Sequence, residues 1–259
     1  MSEALLLAAK NQEWDKIPEL IMPGVNINSN DEHGNTALHY AAQYGHVSTA
    51  RLLVDNDANI DKCNENGWTP LHQAAEFGHD KIVKLLIDTG APLDEIDEDG
   101  STALHLAADN AHWESVVVLV EAGCSITIIN KQSYLPLDLA AGAVMGGSNK
   151  ENRIKIVEYL LSKSNPDNIT VLHSIAAHGN DDMVRSLLSK KDYIDAIDAR
   201  SNGQGWTALH NATYFRNEEI MELLLVHKAD INKIDNKGQT ALHIAANKKL
   251  DCDISIREN

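Results

Sequence analysis

Apolar positions along the chain cluster in two alternating patterns separated by polar stretches. In Thr69-Pro70-Leu71-His72-Gln73-Ala74-Ala75-Glu76-Phe77-Gly78-His79, residues Leu71, Ala74 and Ala75 recur at three- and four-residue spacing, one side of a helix. Thr69 is suited to cap that helix, because its hydroxyl accepts from a free N–H of the first turn. Pro70 follows where a missing N–H has no helical partner. Gly78 ends the helix, and the small Ala pair lets a neighbouring helix approach closely. Ile82, Val83, Leu85, Leu86 and Ile87 then form the apolar face of a second helix, closed by Gly90, which can adopt the left-handed conformation needed past a helix C-terminus. The two helices are predicted to be antiparallel. The polar stretch from Gly90 to Thr102 predicts a turn or short hairpin.

This pattern recurs. Its core stands as Thr36-Ala37-Leu38-His39, Thr69-Pro70-Leu71-His72, Thr102-Ala103-Leu104-His105, Thr170-Val171-Leu172-His173, Thr207-Ala208-Leu209-His210 and Thr240-Ala241-Leu242-His243. The steps from Thr36 to Thr69, Thr69 to Thr102 and Thr207 to Thr240 are each 33 residues. One further step lands on a worn copy, Leu135-Pro136-Leu137-Asp138, and one step back from Thr36 on Glu3-Ala4-Leu5-Leu6, where the motif is lost. A 33-residue period carrying T-P-L-H-x-A resembles the ankyrin repeat over the whole chain. The resemblance implies an all-α ankyrin-repeat solenoid, stacked helix-turn-helix units joined by hairpin-like loops, with stability drawn from nearest-neighbour interfaces.

The expected organisation is a single domain of about eight units: 1–30 as N-cap, then 31–63, 64–96, 97–129, 130–164, 165–201, 202–234 and a partial unit 235–259. In the first unit Leu5, Leu6, Trp14, Ile17, Leu20 and Ile21 supply the inward face, and Pro18 requires the second helix to start near Trp14 or Asp15. The fifth unit has Leu135 and Asp138 in place of Thr and His, and an inserted surface loop over 142–150. The connection 163–169 is short, and 192–204 is about four residues longer than the others. The polar stretch 250–259 reads as a capping variant or as a cut in a longer protein.

Charge narrows the partners. A formal net charge of -16 argues against nucleic acid and anionic membrane, both of which need a Lys/Arg surface, and favours a protein partner with a basic surface. Cys63, Cys124 and Cys252 are odd in number and far apart, so they read as free thiols in a reducing, cytoplasmic compartment. The run Ala4 to Ala9 is too short for a signal or a span. The chain is expected to be a soluble monomer.

No catalytic, cofactor or metal site is expected. Six of the twelve histidines are motif residues, and His46, His79 and His112 share a later repeat position. Metal ligands must converge, whereas these are spread along a stack. The resemblance implies that the motif histidine hydrogen-bonds around the helix start and the adjoining connection. Glu95-Ile96-Asp97-Glu98-Asp99-Gly100-Ser101 begins like a calcium loop, but Leu106 stands where the bidentate Glu belongs. Asp94, Glu95, Asp97, Glu98 and Asp99 read instead as an acidic fingertip, solvated or facing a basic partner. Gly203-Gln204-Gly205 imitates a dinucleotide fingerprint with no parallel sheet to support it, and Gly142 to Gly147 has phosphate-loop spacing with Ser148 where Lys is required.

The aromatic residues carry the functional expectation. In ankyrin repeats, the resemblance implies, the inner groove is lined by the residue before the Thr and by the two before the inter-helix Gly. Those positions hold Tyr44, Trp68, Phe77, Tyr134, Trp206, Tyr214 and Phe215, seven of the chain's twelve aromatic residues. Either they pad neighbouring units or they form a partner groove, since aromatic anchors supply much of the energy at protein interfaces. The expected function is a non-catalytic scaffold or adaptor that binds another protein through its concave groove and loop tips. The alternative is the substrate-recruiting region of a larger enzyme, or of a bacterial effector acting in a host cytosol.

Overall fold

The computed structural model describes residues 2–132, 134–142, 149–163, 170–178, 181–201 and 203–247. Among them no β-strand occurs; an isolated antiparallel bridge joins Asn30 and Thr36. The chain forms two compact units, one of Met1–Ala140 with Glu151–Leu160 and one of Ala141–Lys150 with Leu161–Asn259.

In the first unit α1 (Ser2–Lys10) is followed by a 3-10 turn at Trp14–Lys16 and a short α2 (Ile17–Leu20), with Pro18 in the first turn, where its missing donor costs least. Leu5, Leu6 and Ile17 are buried, while Trp14, Leu20 and Ile21 are only half-buried. Three regular pairs follow: α3 (Ala37–Gln43) with α4 (Val47–Val54), α5 (Pro70–Glu76) with α6 (Asp80–Asp88), and α7 (Ala103–Asp109) with α8 (Trp113–Glu121). First helices pack in one row, α1 on α3, α3 on α5 and α5 on α7, and second helices in another, α4 on α6 and α6 on α8. The Ala pairs at 41–42, 74–75 and 107–108 are buried at these contacts, so the close approach predicted from their size is realised.

The worn copy is α9 (Pro136–Gly142), and α10 (Lys150–Lys163) runs 14 residues against 9 in α6. Of the insertion expected at 142–150, residues 143–148 lie outside the described residues; Gly142 closes α9 and Lys150 opens α10. Most of the short connection 163–169 and all of 250–259 also lie outside them.

The second unit contains α11 (Thr170–His178) with α12 (Asp181–Leu188), α13 (Lys191–Asp195), α14 (Ala208–Phe215) with α15 (Glu218–Val226), and α16 (Ala241–Asn247). Its first helices again form a row, α11 on α14 and α14 on α16, with α12 against α15. The long connection after α12 is not a plain loop: α13 folds back on α12, and Ile197 returns to the core.

Five of the first helices start alike. At Thr36, Thr69, Thr102 and Thr207 the hydroxyl accepts from the backbone N–H of the motif histidine, whose Nδ1 in turn accepts from the N–H of the Thr. This reciprocal box satisfies two orphan donors. Thr240 and His243 form the same box. In the worn copy Asp138 Oδ2 accepts from Leu135 N at 2.8 Å, so the carboxylate keeps the histidine's half of the bargain after the Thr is lost. Thr102→Ala is expected to cost about 0.5–2 kcal/mol, since the cap is buried and water cannot replace it. A urea titration with an unchanged midpoint would contradict that role.

Candidate functional site

Within each unit the motif histidines tie the first helices to the connections that follow them. With Nδ1 accepting from the Thr N–H, each imidazole carries its proton on Nε2 and donates it to the next connection. His39 reaches Trp68 O at 2.9 Å, His72 Ser101 O at 3.2 Å, His105 Tyr134 O at 3.1 Å and His210 Gln239 O at 3.0 Å. The histidine role implied by the resemblance is therefore realised, and it fixes the backbone of the residue before the next helix cap, Thr69, Thr102, Leu135 or Thr240. Burial pushes His39 down to about 4 and lowers His72, His105 and His210 as well, against the pull of their carbonyl partners. These rings are neutral at physiological pH.

The connection tips are tied by their first acidic or amide residue. Asp31, Asn64, Asp97, Asn130 and Asp235 each accept from the N–H groups two and four residues later. Neighbouring tips are joined by backbone bonds, Glu65 N to His33 O, Glu98 N to Asn66 O, Lys131 N to Asp99 O and, in the second unit, Asn236 N to Gln204 O. Asp97 thereby departs from the fingertip expectation. It is 8% exposed, and its second oxygen accepts from Trp68 Nε1 at 3.0 Å. Its carboxylate is spent inside the protein, because the turn and the indole both require an acceptor there. Asp94, Glu95, Glu98 and Asp99 do face solvent.

The expected groove residues fall into separate groups. In the first unit Tyr44 is 41% exposed, stacked on Tyr40 and edge-on to Trp14, and Phe77 is 45% exposed beside His79. Trp68 and Tyr134 are half-buried walls. In the second unit Trp206, Tyr214 and Phe215 form one cluster, with centroids 5.0 Å apart at each step, and Phe215 is 52% exposed. Trp206 Nε1 donates to Asp235 Oδ2 at 3.2 Å, repeating the Trp68 arrangement.

Two clefts open beside Trp68, which lines both together with Asn66. One, of about 570 Å³, is walled by Tyr40 and Tyr44 and carries the amides of Asn35, Gln43 and Gln73. The other, of about 530 Å³, is walled by Tyr134 and carries Glu98, Asp99 and Asp109. Glu76 and Asp109 are the last residues of α5 and α7, where the helix dipole disfavours negative charge. Burial raises Glu76, with the Asp109 charge adding to it, and the same desolvation raises Asp109 against the pull of Arg153. Glu76 and Asp109 occupy the register expected to line the groove, two residues before the turn positions Gly78 and Ala111, but the sequence signal there is aromatic and does not mark carboxylates.

The look-alike motifs dissolve. Gly203 and Gly205 hold φ of 89° and 71° in the turn before Thr207, and Arg200 closes that turn by donating to Gly205 O. The phosphate-loop spacing over 142–148 falls mainly outside the described residues. Among the described residues no group of His, Cys, Asp and Glu is placed to hold a metal ion, and no helix is long and apolar enough to cross a membrane.

A family model described as ankyrin repeats (3 copies) matches residues 5–97, 57–130, 143–235 and 172–254. The chain belongs to the ankyrin-repeat family, and the fold is its all-α solenoid. Ankyrin repeats generally mediate protein–protein interaction and are typically non-catalytic modules. No curated protein matches the chain.

Proposed function

We propose that this chain is a non-catalytic scaffold or adaptor of the cytoplasm, acting as a monomer, that binds a protein with a basic surface through its concave groove and connection tips. The observation that carries this reading is the exposure of Tyr44, Phe77 and Phe215 at the C-terminal ends of capped helices. Large apolar side chains held in fixed positions lose little freedom on binding, so their burial is available to the complex. The charge of -16 favours a basic partner.

The experiment is quantitative capture from lysate by the wild-type chain and by a Phe77→Ala, Tyr214→Ala, Phe215→Ala variant, once circular dichroism shows equal helicity. Loss of about 1.4 kcal/mol or more of binding, at least tenfold in affinity for the captured protein, is expected. Equal affinity of the folded variant would overturn the groove reading.

A further inference from the structure

We infer that the two clefts flanking Trp68 form one peptide track, in which the amide-lined cleft holds the main chain of an extended partner segment and the acidic cleft takes its cationic side chain. This rests on the groove reading above and specifies which part of the groove is used and what chemistry it selects.

Both clefts belong to the first unit and share Trp68 and Asn66, so they adjoin on either side of that indole. Trp68 is immobilised at both ends, its carbonyl by His39 and its Nε1 by Asp97, and forms a fixed ridge between them. In the first cleft Gln73 is 7% exposed, and its amide oxygen has no hydrogen-bond partner. A buried amide in that state is costly unless something satisfies it. Its terminal torsion is broad and two-fold, so a half-turn presents oxygen or NH2 toward the cleft. With Asn35, Gln43 and Asn66 nearby, the lining offers paired donors and acceptors, the set that an extended main chain presents.

Across Trp68 the lining changes from amides to carboxylates. Glu98 and Asp99 face solvent, and Asp109 lines the same cleft from the C-terminus of α7. Negative charge at a helix C-terminus is disfavoured; Arg153 offsets part of that cost at Asp109, and a bound cation would offset more. Trp68 and Tyr134 wall this cleft and offer ring faces to an alkyl stem or a guanidinium. Lys131, on the adjoining tip, has its ammonium turned to Glu98 O.

The test is a titration of the full chain, labelled with nitrogen-15, against the acetylated and amidated pentapeptides Gly-Ala-Arg-Ala-Gly and Gly-Ala-Glu-Ala-Gly, followed at the Trp68 indole and the Gln73 side-chain amide. The arginine peptide is expected to shift both signals saturably and to bind about tenfold more tightly than the glutamate peptide at low salt. Asp109→Asn, a surface change, is expected to remove most of that preference, and Gln73→Leu to weaken both peptides alike. Equal shifts from both peptides would overturn the charge selection, and absence of shifts at Trp68 and Gln73 would overturn the track. Neither result bears on the groove reading, which is judged by the capture experiment on Phe77, Tyr214 and Phe215.

Discussion

Gly78→Ala is expected to destabilise the first unit by about 3 kcal/mol, more than removal of any single cap. Two costs combine. Gly78 has φ of 69°, where a Cβ meets the backbone at a cost of about 1–2 kcal/mol. The added methyl would also stand inside the imidazole of His112, which packs on this turn and donates from Nε2 to Glu76 O at 2.9 Å. Overpacking of that kind costs about 1–3 kcal/mol, and relieving it by moving His112 breaks the bond to Glu76 O. Gly45 is built the same way, with His79 2.7 Å from the position of an added Cβ and bonded to Gln43 O. The informative contrast is Ala111, which holds φ of 58° at the equivalent turn with a Cβ already present. No imidazole presses on it: the next second helix supplies Asn152 to Ala111 O and the Arg153 guanidinium to Asp109 O instead. Glycine is thus required where the following repeat's second histidine packs on the turn, as His79 and His112 do; Gln12 holds φ of 58° before His46, whose ring stacks on Trp14 instead. Ala111→Gly should leave the stability measured by urea titration within about 1 kcal/mol of wild type, since only the left-handed penalty and glycine's chain entropy change. A Gly78→Ala variant as stable as wild type would refute the histidine contact.

Most of this was legible because each repeat position answers a local demand. The Thr cap, the Pro that tolerates it and the Ala pairs are each set by the first turn of a helix or by its nearest neighbour, and six copies average away accident. What was not legible involves partners about thirty or more residues away or more. Asp97 looked like one acid among five, and only the placement of Trp68 in the preceding repeat shows why it is buried. Arg153 replaces a histidine by a residue of different length in a helix that starts in a different register, so no period in the sequence marks it. Helix α13 was hidden for another reason: Lys191-Asp192-Tyr193-Ile194-Asp195 has no apolar stripe of its own and none of its residues is buried. The candidate groove divides the same way. Its aromatic positions follow from the period, whereas Gln73 draws its meaning from burial, which the sequence does not display.

Acid is expected to weaken the first unit well above the range in which carboxylates alone would do so. His39 titrates near 6.5 when the chain is unfolded and near 4 when folded, because its ring is buried with Nδ1 committed as an acceptor. Between those values the unfolded chain binds more protons, so the contribution is intact above 6.5 and is lost as pH falls toward 4. For His39 alone the loss between pH 7 and pH 5 is about 2 kcal/mol. His72 and His105, lowered in the same way, act in the same direction. Glu76 and Asp109 oppose it, since their raised values let the folded state take up protons first. Urea titrations at pH 7 and pH 5 should therefore show a marked drop in midpoint, and nitrogen-15 shifts of the His39 ring should place its titration near 4. A His39 that titrates near 6.5 in the folded protein would break the chain of reasoning at its first link, because a ring free to protonate there is not the one that holds Trp68 in place.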